Sequence, residues 1–490
     1  MPSLFSEILT IINIVVPTAV GNGLEYLPVL IGMALVGHSQ SPNTKDELDA
    51  LSLGRTFFNF VAMAPGFGLI SALRTLCPQA VGAGQPRLNA LYLQRAFLLV
   101  ILWIGPVTVC ALYAERILLL VGQPPEASRL AQPYVLRLLP TYFGVVGMSA
   151  IQRIYQAENK NYANLVIVAI TFCTAPPLQW LLINRLGYLG AAWASSAYNN
   201  VYFLLQIPHL CYLGRGYLFV PRMATLSKRG LYEYVRLMIP GFLMCCMEWW
   251  VLEALVFLAG RLHHADVAIA AFTLTSQVQA MGLMAWIGLG VASSSLVGQR
   301  IGAADLVGAR RAALITPLVG FALAALLGVA VALLAPQIAD GFAKAAKIDN
   351  LVSRLLPLVA GVMVVDALSN SLQGVCSGLG LQRVAAYGQV VGYYIVGLPA
   401  ACALAYGLLH DSEDGAFGLW GGVGLAMLTA AVMQVVALVR HDWSQSVKEA
   451  QRRLEAEAAG VSTATSVNDT TVVVAAEGLG DGLLGYSVAD

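Results

Sequence analysis

The chain has 490 residues, 58% hydrophobic and 11% charged, with a mean hydropathy of +0.72 and a formal net charge of +1. Soluble domains carry roughly 25% charged residues, so this chain lacks the polar surface to cover a globule of its size, and a bilayer is its natural solvent. The near-zero net charge argues against a nucleic-acid partner.

Crossing about 30 Å of hydrocarbon takes about 20 apolar residues in a helix. In chain order, such segments lie at 8–36, 53–80, 92–112, 130–152, 163–184, 188–212, 236–260, 266–298, 311–335, 351–379, 384–408 and 416–439. Several exceed 25 residues, which predicts tilt or kinks. Glycine pairs Gly66/Gly68 and Gly288/Gly290 are the expected bending points. The fold class is therefore an all-α membrane protein of about twelve transmembrane helices.

Eight cysteines (Cys77, Cys110, Cys173, Cys211, Cys245, Cys246, Cys376 and Cys402) lie mostly within these segments without a CxxC pair. They read as small buried hydrophobes, not as a disulfide frame or metal site. The first apolar run is too long for a cleavable signal and no basic residue precedes it. With the N-terminus in the cytoplasm, the inside connections and tail hold 17 Lys/Arg and the outside ones 9. That bias predicts both termini inside. Acidic clusters, Asp46/Glu47/Asp49 and Asp411/Glu413/Asp414, fall outside. Residues 444–458 are predicted to form a short polar helix, and 459–490 read as disordered. The sequon at Asn468 then goes unused.

A repeat sets the organisation. Pro17 and Pro240 open the first and seventh segments, and Glu25 and Glu248 follow each by eight residues. Gln79-Ala80-Val81-Gly82-Ala83-Gly84 corresponds to Gln299-Arg300-Ile301-Gly302-Ala303-Ala304. Leu139-Pro140 matches Leu356-Pro357, Gly144 matches Gly361, and Gly187-Tyr188-Leu189-Gly190 matches Gly415-Ala416-Phe417-Gly418. Offsets run from 217 to 228. Six segments per half make the repeat parallel, with its axis along the membrane normal, a known transporter plan. The expected division is an N-terminal half (1–212), a cytoplasmic linker (213–235), a C-terminal half (236–440) and a largely disordered cytoplasmic tail (441–490).

An acid within the membrane is a functional hypothesis by default, because burying it is costly. Glu25, Glu248, Glu253 and Asp366 are the candidates. Glu248 and Glu253 project about 140° apart on a helix, so they do not share one face squarely. Trp249 and Trp250 lie one turn before Glu253. An acid beside indole rings suits an organic cation, by charge and by cation–π attraction. Desolvation also moves a carboxyl toward exchange near neutral pH. Each residue has a plainer reading: Glu25 as a hydrogen-bonding partner of a neighbouring helix, the other acids as structural, and the tryptophans as packing. His263 and His264 read as solvated loop residues. Arg74 reads as snorkelling or pairing.

These segments resemble the eukaryotic branch of the multidrug and toxic compound extrusion (MATE) family. The resemblance rests on four stretches. Ile239-Pro240-Gly241 through Met247-Glu248-Trp249-Trp250-Val251-Leu252-Glu253 is the first. Gly374-Val375-Cys376-Ser377-Gly378-Leu379-Gly380-Leu381-Gln382 with Gly392-Tyr393-Tyr394-Ile395-Val396-Gly397-Leu398-Pro399 is the second. Thr75-Leu76-Cys77-Pro78-Gln79-Ala80 with Gly82-Ala83-Gly84 is the third, and Gly418-Leu419-Trp420 the fourth. The resemblance covers about residues 8–440. It implies a MATE-like (MOP-flippase-like) fold, two six-helix pseudo-symmetric halves around a cleft that faces each side in turn. It carries the family's span-seven glutamates onto Glu248 and Glu253, its span-ten acid onto Asp366, and a polar span-one position onto Asn22. Gly32 stands where bacterial branches place an aspartate. This chain departs from relatives at Arg74, where an acid is frequent, at Ser377, where an arginine is frequent, and at Ser276 and Leu283, where animal members carry tyrosines.

The expected function is secondary antiport, exporting organic cations or xenobiotics in exchange for protons. The predicted site is Glu248, Glu253, Asp366, Asn22, Trp249, Trp250 and Glu25, with no metal and no cofactor. The proton gradient is the expected drive, sodium less so. Expected partners are small organic cations, protons and the bilayer, with the chain a monomer. The plasma membrane and a vacuolar or lysosomal-type membrane are both open. Alternatives are export of organic acids such as citrate, or a lipid-linked substrate flippase of the same superfamily. No GxSxG, HExxH or Walker A motif is present, so enzymatic or ATP-driven chemistry is not expected.

Overall fold

A computed structural model describes residues 4–38, 44–259, 262, 265–342, 346–408 and 414–459. His263, His264, Asp411, Glu413 and the sequon at Asn468 lie outside the described residues. Within lipid every backbone polar group needs an internal partner, which leaves helices as the economical choice for apolar segments. The described chain is almost wholly helical. The spans are α1 (Leu4–Gly37), α2 (Lys45–Gly82), α3 (Asn89–Leu112), α4 (Pro125–Ala157), α5 (Asn161–Leu186), α6 (Tyr188–Tyr212), α7 (Lys228–Ala259), α8 (Ala265–Gly302), α9 (Leu306–Leu333), α10 (Ala346–Leu379), α11 (Gln382–Leu408) and α12 (Gly415–Arg440). Eleven of them are long and apolar enough to cross a membrane. The exception, α6, is the same length of helix diluted by Ser195, Ser196, Asn199, Asn200, Gln206 and His209.

Buried apolar side chains form two large clusters. One is drawn from Val36 to Met238, the other mainly from Val251 to Ala450. The two halves are interlocked at their first helices. Ile11, Ile14 and Val15 of α1 belong to the second cluster, whereas Tyr234, Leu237 and Met238 of α7 belong to the first. Each half thus inserts the start of its opening helix into the other.

The halves meet tightly at the end of the bundle where both described termini lie. A Cβ on Gly82 would overlap the backbone carbonyl of Gln299, and one on Gly302 would overlap that of Gln79. Only glycine allows such an approach. The side chains repeat the symmetry. Gln79 Nε2 donates to the Gly378 carbonyl (2.9 Å) and Gln299 Nε2 to that of Ala157 (2.8 Å). Thr75 Oγ1 donates to the Ser377 carbonyl (2.5 Å) and Ser295 Oγ to that of Gln156 (3.1 Å). Both donor pairs are separated by 220 residues and both acceptor pairs by 221. The repeat therefore extends to individual hydrogen bonds, and together they close this end.

Of the expected bending points, the α2 pair Gly66/Gly68 immediately precedes a break in the helix and the α8 pair does not bend it. α8 continues as helix through Gly288 and Gly290, whereas α2 carries a wider π turn at Asn59–Met63 and a break between Leu69 and Leu73. These glycines also serve close packing: Gly68 faces Phe242, and Gly290 faces Asn370 and Arg74.

Beyond α12, residues 443–459 form a further helix, α13. Its Trp443, Val447, Ala450 and Leu454 are buried at helical spacing. The first three join the second cluster and Leu454 joins the first. This stretch, expected to be a polar helix within a largely disordered tail, has an apolar stripe docked across both halves. Residues 460–490 lie outside the described residues.

Candidate substrate and ion site

Glu248 sits twenty residues into α7, about 30 Å along the helix from Lys228. It is half-buried, and its carboxylate has no hydrogen bond or ion pair among the described residues. Arg74, from the part of α2 beyond its break, lies within electrostatic reach. So does Asp366 of α10, and Tyr393 of α11 feels both acids. Glu248, Asp366 and Arg74 are thus brought together from three helices of two halves.

Asp366 is differently situated. It is 1% exposed; Gln279 Nε2 donates to one carboxylate oxygen (2.8 Å) and Asn370 Nδ2 to the other (2.8 Å). A buried acid held by two amides is fixed in place.

Glu25 is not part of this group. It faces the interior of the first half, where Gln152 Nε2 (2.5 Å) and the Tyr202 hydroxyl (3.1 Å) donate to its Oε1. Tyr202 in turn meets Asn164, whose Oδ1 accepts from Gln206 Nε2 (2.9 Å). One acid, two amides, a hydroxyl and a further glutamine form a polar network in α1, α4, α5 and α6, which leaves the Gln206 Oε1 unpartnered.

Asn22 is a bridge between halves: its Nδ2 donates to the Met284 carbonyl of α8 (3.2 Å), and one turn on the Tyr26 hydroxyl donates to Gln277 (2.7 Å). The tryptophans face α2. Trp250 stacks on Phe60 (centroids 4.7 Å apart) and Trp249 meets Phe67 at 5.9 Å. The indole Nε1 of Trp250 is buried without an acceptor. Both rings are occupied by aromatic packing across the halves. The side chain of Glu253 lies outside the described residues.

Two arginines complete the setting. Arg74 is half-buried, with its Nε buried and unpartnered. The Ser377 hydroxyl donates back to the Gln373 carbonyl of its own helix (2.9 Å). Arg153 was missed in the sequence because the fourth apolar segment ends at 152 and the residue reads as loop charge. α4 continues to Ala157, and apolar Ile151 and Ile154 flank the arginine at helical spacing, which was the available signal. Arg153 donates to Gln156 (2.8 Å), leaves Nε unpartnered, and stands within electrostatic reach of Arg74 and Glu25. The interface between halves therefore presents one unpaired carboxylate and two incompletely paired guanidinium groups, an arrangement able to exchange an external charged ligand for an internal partner.

Comparison with known proteins gives a consistent picture. The model of the family described as MatE matches residues 17–181 and 240–402. Protein DETOXIFICATION 37 of Arabidopsis thaliana is 28% identical over 84% of this chain and 81% of its own length. Multidrug and toxin extrusion protein 1 of Xenopus tropicalis is 29% identical over 92% of this chain and 77% of its own. Among solved structures, the eukaryotic MATE transporter AtDTX14 superposes with a TM-score of 0.84 at 25% identity, covering 92% of this chain and 99% of that one.

Proposed function

Because the chain belongs to the MATE family of multidrug and toxin extrusion transporters, we propose that it is a secondary antiporter exporting organic cations in exchange for protons, with Glu248 as the carboxylate for which the two compete. One observation carries this reading: of the three described candidate acids, only Glu248 lacks a hydrogen-bonding partner among the described residues. A proton and a cation that compete for one group are reciprocally coupled, which is what antiport requires. Asp366 shapes the field at Glu248. Arg74 supplies a resident counter-charge that an arriving cation displaces. Asn22 joins α1 to α8 and moves with the halves. Glu253 and the tryptophans complete the family pattern, and Glu25 acts within its own network.

The closed end faces the cytoplasm in this reading, as the bias of Lys and Arg toward its connections supports. Residues 213–235 then serve as linker between the halves, protons drive export in preference to sodium, and a monomer in a plasma or vacuolar-type membrane suffices. The test is uptake of radiolabelled tetraethylammonium into proteoliposomes under an imposed pH gradient, with and without sodium. Accumulation that follows the pH gradient and is lost in Glu248→Gln is expected. Full accumulation in that variant removes Glu248 from its role.

A second reading, export of an organic acid such as citrate or of a lipid-linked anion, is favoured by Arg74 and Arg153 standing near each other with unpartnered Nε groups. Uptake of labelled citrate, with tetraethylammonium inert, would select it.

A further inference from the structure

A cavity of about 1060 Å³ opens at the closed end, walled by α3, the linker, the start of α7, the α10–α11 turn and α13. It is well removed in chemistry from the acidic site. Six arginines and three glutamates line it. Two of the glutamates face an arginine, and the third does not. Glu457 is gripped by Arg95, with Nη1–Oε1 at 2.6 Å and Nη2–Oε2 at 2.9 Å. Glu233 lies 3.9 Å from Arg236, and Glu449 accepts from Gln445 (3.0 Å). Arg229, Arg383, Arg452 and Arg453 have no carboxylate within ion-pair distance among the described residues.

Three lining groups lack a partner for one polar atom: Tyr92, Arg453 and Gln382, whose Oε1 is a buried acceptor without a donor. Tyr92 is 1% exposed and its hydroxyl has no partner; the Nε of Arg453 is likewise buried and unpartnered. Arg453 has one weak outlet, Nη2 to Gln79 Oε1 (3.2 Å). Burial lowers its pKa from the ordinary value, although Glu449 and Glu233 stand within electrostatic reach. A buried donor without an acceptor is costly. This cavity therefore gathers an excess of three arginines over glutamates and three orphaned polar atoms around a space of small-molecule size.

We propose that this cavity is a binding site for a polyphosphorylated small ligand, supplied either as a soluble polyphosphate or as the headgroup of a membrane phosphoinositide. Guanidinium forks pair with phosphate oxygens two at a time. A phosphate ester brings about 1.5–2 negative charges near neutral pH, so two of them match the excess of three arginines where a single carboxylate does not. The orphaned Tyr92 hydroxyl and Arg453 Nε supply two further donors.

The test is binding to the purified full chain in detergent, which does not depend on transport. One arm titrates inorganic tripolyphosphate and follows the thermal unfolding midpoint. The other titrates a fluorescent short-chain phosphatidylinositol 4,5-bisphosphate and follows anisotropy. Saturable binding is expected in at least one arm, weakened at least about tenfold in the Arg383→Gln/Arg452→Gln variant, a difference of about 1.4 kcal/mol. Both side chains are exposed, and an unchanged midpoint without probe verifies the fold. Binding of tripolyphosphate that also displaces the lipid probe assigns a soluble ligand. Lipid binding that tripolyphosphate does not displace assigns a headgroup. Absence of binding in both arms, or equal affinity in the variant, overturns the proposal.

Discussion

The two halves place a glutamate eight residues after a proline in their first helices, yet Glu25 and Glu248 have different surroundings. Glu25 is held by Gln152 and Tyr202. Glu248 has neither kind of partner among the described residues. At the offset relating Gly187 to Gly415, the position of Tyr202 corresponds to Ala430, which cannot donate a hydrogen bond. The gate contacts, by contrast, are kept in both halves down to single donors. The contacts that close the bundle are alike in the two halves and the surroundings of the acids are not: Glu25 is held and Glu248 is unpartnered among the described residues.

The sharpest break of that comparison is a pair of neutral swaps. Glu248→Gln should lower pH-driven uptake in proteoliposomes by about a thousandfold, because the competing group is gone. Glu25→Gln keeps an acceptor for Gln152 and Tyr202, and uptake should stay within about threefold of the parent. Equal losses would mean that the hydrogen-bonded acid also exchanges protons, and the contrast between the halves would collapse.

A second contrast concerns acids from the chain's two ends. Glu7 of α1 holds Arg300 (3.0 Å) and Arg311 (2.8 Å) of the second half, and Glu457 of α13 holds Arg95 of the first. Arg95 is 1% exposed, whereas Arg300 and Arg311 are 21% and 29% exposed. Removing one partner of a buried pair costs about 3–5 kcal/mol because it strands a charge. Glu457→Gln should thus lower the unfolding midpoint clearly more than Glu7→Gln, whose arginines reach water. The reverse order would show that α13 is only loosely held.

Gly82→Ala and Gly302→Ala test the symmetry of the closed end. Each methyl meets a carbonyl of the opposite helix, and overpacking of this kind costs about 1–3 kcal/mol. The two should cost the same, and the double variant less than their sum, because a gap opened by the first relieves the second. Thermal midpoints of the three variants decide it; additive losses would mean that the helices do not share one contact.

The twelve-helix plan and the repeat were legible because Pro and Gly mark helix entries and close approaches at matching offsets. The surroundings of the acids were not. Gln152 and Tyr202 lie 127 and 177 residues from Glu25, and no local pattern links them. Arg153 reads as loop charge because the apolar run ends at residue 152 although the helix continues to Ala157, and Gly288 and Gly290 read as hinges because the sequence does not separate a glycine that bends from one that packs. The stripe of Trp443, Val447, Ala450 and Leu454 follows a regular helical spacing, but six charged residues between 448 and 457 masked it.

The smallest predicted effect arises where the symmetry is nearly complete. Thr75 Oγ1 donates to Ser377 and also accepts from Gln382 Nε2 (2.9 Å). Its counterpart Ser295 donates to Gln156, but the residue that corresponds to Gln382 at the same 221-residue offset is Asn161, one methylene shorter. Asn161 is 5% exposed and its Nδ2 is buried without a partner. The first half therefore carries an orphaned donor where the second has a hydrogen bond. Asn161→Gln should extend the amide to Ser295 and raise stability by about 1 kcal/mol, the net worth of one hydrogen bond. In a Ser295→Ala background the gain should vanish, since no hydroxyl is left to accept. A gain that survives Ser295→Ala would come from packing alone, and the correspondence between Gln382 and Asn161 would have no energetic meaning.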